Sequence, residues 1–475
     1  MTIHPQTNAP KIKAKDRAAV IHSLRAGVVP RSGQHLIQVG RVQELEALIK
    51  DLDRVGAGGS SSRFVIGEYG SGKTFFLSLV RSIALQKKLV TVHGDLTPDR
   101  RLHASKGQAR SLYAEHMRNL ATRTKPNGGA LSSVVEKFVS STLTEARSRQ
   151  ISPEDIIRDR LEQLSEMVGG YDFAEVIAAY WRGYDTGDDE LKFNAIRWLR
   201  GEFSTKTDAK NALGIRTIID DANFYDQLKL FARFVQLAGY QGLMICLDEL
   251  VNLYKLANTQ ARKNNYEQIL RILNDSLQGT ADGLGFILGG TPDFLMDPRK
   301  GLYSYEALQS RLAENTFAGD GIVDFSHPII RLANLSPEDL VVLLRNIRHV
   351  FAMGHSEHYL LSDEEIAIFL KHCFQRVGEA YFRTPRNTIT VFVNLLAVLE
   401  QNPGLSVEDL IGKVTLEKEQ NPDLLPLEKR GDIEKHDDKS VGKEKDNAAS
   451  SQSNSAVAAS SESTDLEDDL ASFKL

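Results

Sequence analysis

The 475-residue sequence predicts an α/β fold, a parallel sheet with helices on its faces, and three observations carry that prediction. Residues 64–80, FVIGEYGSGKTFFLSLV, run from an apolar strand pattern through glycines into an apolar helix pattern. Two further apolar runs, GLMICL at 242–247 and GFIL at 285–288, end in polar or glycine residues and are flanked by helical periodicity, as buried parallel strands are. Residues 131–237 keep helical spacing almost throughout, which places a block of helices between strands rather than a second sheet.

The length allows two or three domains, and 41% hydrophobic with 25% charged residues is ordinary for a globular chain. A formal net charge of −5 argues against a general nucleic-acid coat, so any DNA contact has to be local. Cys246 and Cys373 are far apart and lack metal-ligand spacing, which suits a reducing compartment. No apolar run approaches about 18 residues, and the start MTIHPQTNAPKIKAKD lacks the apolar core of a signal peptide. The expectation is a cytoplasmic protein without a membrane partner.

In chain order, residues 1–14 read as frayed and 16–24 as a short helix stopped by Gly27 and Pro30. In LIQVGRVQELEAL, 36–48, a strand-like run yields at Gly40 and Arg41 to a helix with Leu45, Leu48 and Ile49 as its stripe, an element placed to close over a base or simply to pack. Then comes G-x-x-x-x-G-K-[ST] as Gly67, Gly72, Lys73 and Thr74, with Gly70 and Ser71 between and Phe75 after. Glycines let successive N–H groups turn toward a β-phosphate at a helix N-terminus, Lys73 can reach the β- and γ-phosphates, and the Thr74 hydroxyl can ligate Mg²⁺. After a helix over 75–85 and a strand over 89–92, residues 99–125 concentrate Arg100, Arg101, His103, Lys106, Arg110, Arg118, Arg123 and Lys125, either a grip on nucleic-acid phosphates or a solvated helix face.

Within the helical block, Ser152 with Pro153, Glu154 and Asp155 marks a capped start, and Trp181 and Trp198 sit at core spacing. The run 242–247 ends in Asp248 and Glu249, either a chance acidic pair or the expected partner of a phosphate loop, in which the first carboxylate holds Mg²⁺ through water and the second polarises the attacking water. The run 285–288 ends in Gly289, Gly290 and Thr291, whose hydroxyl either sits by the γ-phosphate or caps a turn. Arg311 follows on a short helix, 305–312. A strand-like link over 330–335 leads to a helix capped by Ser336, a second opened by Ser362 and Glu365, and a third after Thr384, Pro385 and Arg386. From about 428 the composition turns to charge and serine, a disordered tail ending in DLEDDLASFKL.

With these words in place, the chain resembles the AAA+ ATPases over about 36–427. The order of phosphate loop, acidic pair, strand-end polar residue, arginine box and helical lid is that family's order. Gly40, Arg41 and Glu44 form a G-R-x-x-E word similar to the branch containing origin-recognition and signal-transducing ATPases. VPRSGQHLIQVGR, GEYGSGKTFF and LHASKGQARSLY resemble the P-loop ATPases of bacterial phage-defence operons, which include the BREX ATP-binding proteins and the ATPase subunit of the Shango system. That subunit is encoded beside a TerB-like protein and a superfamily-two helicase.

The resemblance implies ATP and Mg²⁺ as cofactors and a homo-oligomer. It puts Thr291 at the sensor-one position, Arg311 at the arginine-finger position and Arg386 at the sensor-two position, with Lys73 and Glu249 at the chemistry and Gly40 and Arg41 at the nucleotide. It also implies four regions: an N-terminal helix and linker (1–35), a nucleotide-binding core (36–328) with a helical insertion at about 110–240, a lid (329–427) and the tail (428–475). Two departures stand out. Asp248 lies 175 residues after Lys73 (248 − 73), far more than a minimal core needs, and about forty residues between Arg386 and the tail leave no room for the winged helix of initiators. The expected activity is an ATP-hydrolysing motor or switch for partner proteins, a helicase among them, in antiphage defence. The alternatives are a nucleotide-gated scaffold with slow hydrolysis and a DNA-binding loader.

Overall fold

The computed structural model describes residues 12–317, 324–377 and 385–412. The expected tail over 428–475, Thr384 and the frayed start at 1–11 lie outside these residues.

Five parallel strands form one sheet: β1 (Ser61–Gly67), β2 (Val90–Asp95), β3 (Leu243–Asp248), β4 (Leu284–Gly290) and β5 (Ile329–Leu332), in spatial order β2-β3-β4-β1-β5. β1 therefore lies between β4 and β5, with Phe64 opposite Leu288 on one side and Ile329 on the other. Every residue of β1, β3 and β4 is buried, the signature of a parallel sheet covered on both faces.

Alternation of side chains along the strands sorts the sheet into two cores. Val65, Met244, Cys246 and Ile287 face α2 (Val42–Gly56) and α3 (Lys73–Gln86), which contribute Leu48, Leu52, Val55, Phe76 and Val80. Phe64, Ile66, Val92, Ile245 and Phe286 face the other way. There they join the helical block between β2 and β3: α4 (Gln108–Arg118), α5 (Leu131–Arg149), α6 (Pro153–Ser165), α7 (Gly170–Thr186), α8 (Asp189–Leu199), α9 (Lys206–Leu213) and α10 (Phe224–Leu237). Phe173 anchors this block, with ring centroids 5.6 Å from Phe234 and 6.4 Å from Trp198. Trp181 and Trp198 are both buried, as their spacing suggested. The helices thus share one apolar core with the sheet.

Between β3 and β4 run α11 (Val251–Tyr254) and α12 (Thr259–Gln278), and between β4 and β5 run α13 (Pro292–Met296) and α14 (Glu306–Arg311). After β5 come α15 (Pro337–Phe351), α16 (Asp363–Val377), α17 (Pro385–Gln401) and α18 (Val407–Ile411). Ser336 and Asp339 form a reciprocal capping box at the start of α15. A third core joins these helices to α1 (Ala14–Arg25), whose Val20, Ile21 and Leu24 pack with Leu344, Ile347, Phe392 and Leu396.

Two readings change. Residues 36–39 are not a strand: a 3-10 turn at Gln34–Leu36 is followed by irregular chain, because Gln34 is tied to Pro30 and Ser78 and Ile37 is buried in the third core. The basic segment 99–125 is not a single helix face. Only Arg110, His116 and Arg118 of it lie on α4, and His116 is buried; the other cations flank the helix in loops.

Candidate functional site

The sheet topology brings the predicted words together. The loop after β1 and the acids after β3 are separated by one strand, β4, so all three strand ends meet at one edge. Gly70 and Gly72 hold φ of +79° and +82°, a left-handed conformation that costs a residue with a Cβ roughly 1–2 kcal/mol. Gly67 faces a different constraint: a Cβ there would stand 2.5 Å from Ser71 Oγ and 3.1 Å from the Leu332 carbonyl. The loop folds tightly over its own strand, and α3 starts at Lys73.

Lys73 Nζ donates to the carbonyls of Gly67 and Glu68, each at 2.9 Å, which lays the ammonium across the loop. Thr74 Oγ1 donates to Asp248 Oδ2 at 2.8 Å. The other oxygen of Asp248 accepts the Glu249 N–H at 2.9 Å. Gly289 makes this approach possible, since a Cβ there would meet Asp248 Oδ1 at 2.5 Å. Glu249 is exposed with φ of +58°, a left-handed conformation uncommon for a residue with a Cβ, at the turn that ends β3. A hydroxyl and a carboxylate joined at the phosphate loop are a hard-oxygen donor pair of the kind Mg²⁺ takes with phosphates. Ser71 Oγ, buried and without a hydrogen-bond partner among the described residues, adds a polar atom to the loop. The residues present fit ATP with Mg²⁺.

Arg41, also left-handed at φ +59°, donates from Nη2 to the Ser71 carbonyl and, at 3.2 Å, to the Ala333 carbonyl. Burial lowers its pKa, opposed by Glu44 and Asp339. It therefore joins the phosphate loop to the chain leading from β5 into α15. Gly40 beside it packs against Asp339, 3.4 Å from where its Cβ would be. Thr291 caps α13, its Oγ1 accepting from the Phe294 N–H at 3.3 Å, and also faces the cleft. Arg386, at the start of α17, lays its stem against Gly27, 3.5 Å from the site of an added Cβ.

Around these groups lies a cleft of about 450 Å³. Its polar end is lined by Arg41, Gly70, Ser71, Gly72, Lys73, Thr74, Phe75, Asp248, Glu249, Thr291 and Arg386. Arg311 is elsewhere: exposed on α14, it donates from Nε to Asn274 at 2.6 Å and from Nη1 to the Ala307 carbonyl at 2.9 Å.

The other end of the cleft was not read from the sequence. Its apolar lining comes from Val28, Val29, Pro30 and Ile37, ahead of the phosphate loop in the chain, and from Leu335, Leu343 and Ile389, after β5. The pair of valines before Pro30 was the available signal, but nothing local says that it turns back over a loop forty residues on. Asp95 was also missed. It ends β2 in register with Asp248, and burial together with the Asp248 carboxylate raises its pKa, against the pull of Arg100.

A family model described as BREX system ATP-binding protein BrxC/D matches residues 12–415. No curated protein matches the chain. Among the described residues no helix is long and apolar enough to cross a membrane.

Proposed function

We propose that this chain, which belongs to the family of BREX system ATP-binding proteins BrxC/D, hydrolyses ATP with Mg²⁺ in this cleft and uses the cycle to drive partner proteins in phage defence. The observation that carries the reading is the 2.8 Å hydrogen bond from Thr74 to Asp248, which unites two words 174 residues apart at the phosphate loop. The apolar lining from residues 28–37 and the helices after β5 suits the faces of an adenine ring. Lys73 would compensate phosphate charge, Thr74 and Asp248 would hold Mg²⁺, and Glu249 would take the proton of the attacking water. Bound Mg²⁺ would neutralise charge on the phosphate oxygens. Thr291 and Arg386 flank the nucleotide as sensors, and Arg311, outside its own cleft, serves a neighbouring copy in a homo-oligomer. A helicase and a TerB-like protein are the partner types this reading favours, in the cytoplasm.

Two variants test the division of roles. Lys73→Ala should lose ATP binding, because phosphate charge is left uncompensated. Glu249→Gln should bind ATP with near-normal affinity and retain it unhydrolysed, with turnover down by at least about 10²-fold. Isothermal titration and phosphate release separate the two. Equal loss of affinity in both variants would overturn the assignment.

A further inference from the structure

The cations of 99–125 divide in space. α4 runs back along β2, so Arg118, Arg123 and Lys125 lie toward Thr91, where Ala121 bridges to that strand. Arg101, Lys106 and Arg110 lie at the opposite end, in or just after the loop 96–107 that leaves Asp95. We propose that this loop, together with Arg110 and Arg197 beside it, binds the phosphate backbone of a nucleic acid.

The charges there are unspent. Arg100 and Arg118 share Glu115 at 3.6 and 3.7 Å, whereas Arg101, Lys106, Arg110 and Arg197 make no salt bridge among the described residues. Arg101 Nε is buried without an acceptor, an uncommon state for a guanidinium, which carries five donors. Among the described residues the Arg110 guanidinium reaches the Phe203 carbonyl alone, at 3.4 Å, and folds back to 3.9 Å from where a Cβ would stand on Gly107, beside Lys106. Arg197 stacks on the Phe203 ring at 4.3 Å, so two guanidinium groups meet at one residue. Asp99 and Glu202 are the acids within these same turns, and Asp221 lies against Gly107 and Arg110 from the chain before α10.

The loop is also held in place. Asn252 Nδ2 donates to the Leu96 carbonyl at 2.6 Å, and His103 exchanges backbone hydrogen bonds with the Asn265 side chain at 2.9 and 3.1 Å. Asp221 spends both oxygens on the N–H groups of Gly107 and Arg110, at 2.7 and 2.9 Å. A preordered set rich in arginine suits phosphate, whose oxygens match the guanidinium fork. Its root at Leu96 is bonded to Asn252, three residues after Glu249, so the surface is tied to the acidic pair. The inference stands independently of ATP hydrolysis.

The test is fluorescence anisotropy of a labelled duplex and of a single strand of equal length with the full chain, across a salt series. Wild type should bind at least one of them, with log K falling linearly against log salt. The variant R101A/K106A/R110A should lose at least about 10-fold in affinity and about 2–3 in the salt slope, at roughly 0.7–0.9 per phosphate contact. Lys106→Glu, on an exposed side chain that the fold does not need, should lose several-fold, while R123A/K125A at the far end should bind as wild type does. The inference fails if wild type binds neither nucleic acid, if the triple variant and Lys106→Glu both bind normally, or if R123A/K125A loses as much. Binding of poly-glutamate but not of nucleic acid would also overturn it, in favour of an acidic protein. Phosphate release on the same samples without nucleic acid reports separately on the ATPase reading.

Discussion

His116 is 1% exposed and neither of its ring nitrogens has a hydrogen-bond partner among the described residues, so its neutral form is packed as if it were apolar. Burial, then His93 and Arg100, lower its pKa to about 3. An unfolded histidine titrates near 6.5, so between these values the unfolded chain binds a proton that the folded chain refuses. Stability is therefore full above about pH 6.5 and falls with acidification, by an amount on the order of 2–3 kcal/mol at pH 4.5. Replacing His116 with Leu should raise the melting temperature more at pH 5 than at pH 8; an equal change at both would exclude this titration as the cause. At this scale the sequence was most legible where one motif names the residues that meet, as with Lys73, Thr74 and Asp248, which the fold brings to one cleft. Gly289 and Asp95 were opaque, because their significance comes from the neighbouring strand, which puts the Asp248 carboxylate against both.

Between elements, α2 and β1 are joined by a buried ion pair in which Arg63 donates from Nε to Asp51 at 2.5 Å and from Nη2 at 3.1 Å. The same guanidinium donates to the His327 carbonyl just before β5, so it fixes three elements around the strand that presents the phosphate loop. Asp51→Ala leaves a buried guanidinium uncompensated and should cost about 3–5 kcal/mol, whereas Asp51→Leu combined with Arg63→Met, which puts apolar side chains of similar volume in place of both charges, should be near neutral. Chemical denaturation of wild type, the single variant and the paired variant checks this; equal losses in the single and paired variants would refute it. Strands and capped helices were readable because each is written in consecutive residues. The irregular chain at 36–39 was misread because its Ile37 is held by helices after β5, some three hundred residues later, a contact that no local periodicity encodes.

For the whole molecule, the position of Arg311 on the exposed side of α14, apart from the cleft, bears on assembly. If it completes a neighbour's site, Arg311→Ala should keep ATP binding and lose about 10³-fold or more in turnover, as trans-acting arginines do. Mixed with Lys73→Ala, which keeps its own arginine, it should regain part of that turnover. Normal turnover of Arg311→Ala alone, or silence of mixed oligomers shown to form, would reject sharing. Much of the remaining architecture was hidden because it depends on the two ends of the described chain meeting: Arg17 pairs with Glu400 at 2.8 Å, and Thr390 donates to the Leu24 carbonyl at 3.1 Å. That meeting has a consequence for the order in which the protein is made. At about 5–20 residues per second, the ribosome delivers Thr390 roughly 20–70 s after Leu24. For most of that interval α1 lacks the helices after β5 that cover it, α15 first and α17 last, while the strands of the sheet are already emerging. The phosphate loop is thus made well before Leu335, Leu343 and Ile389, so a newly made chain carries the loop for a time without that part of the cleft's lining.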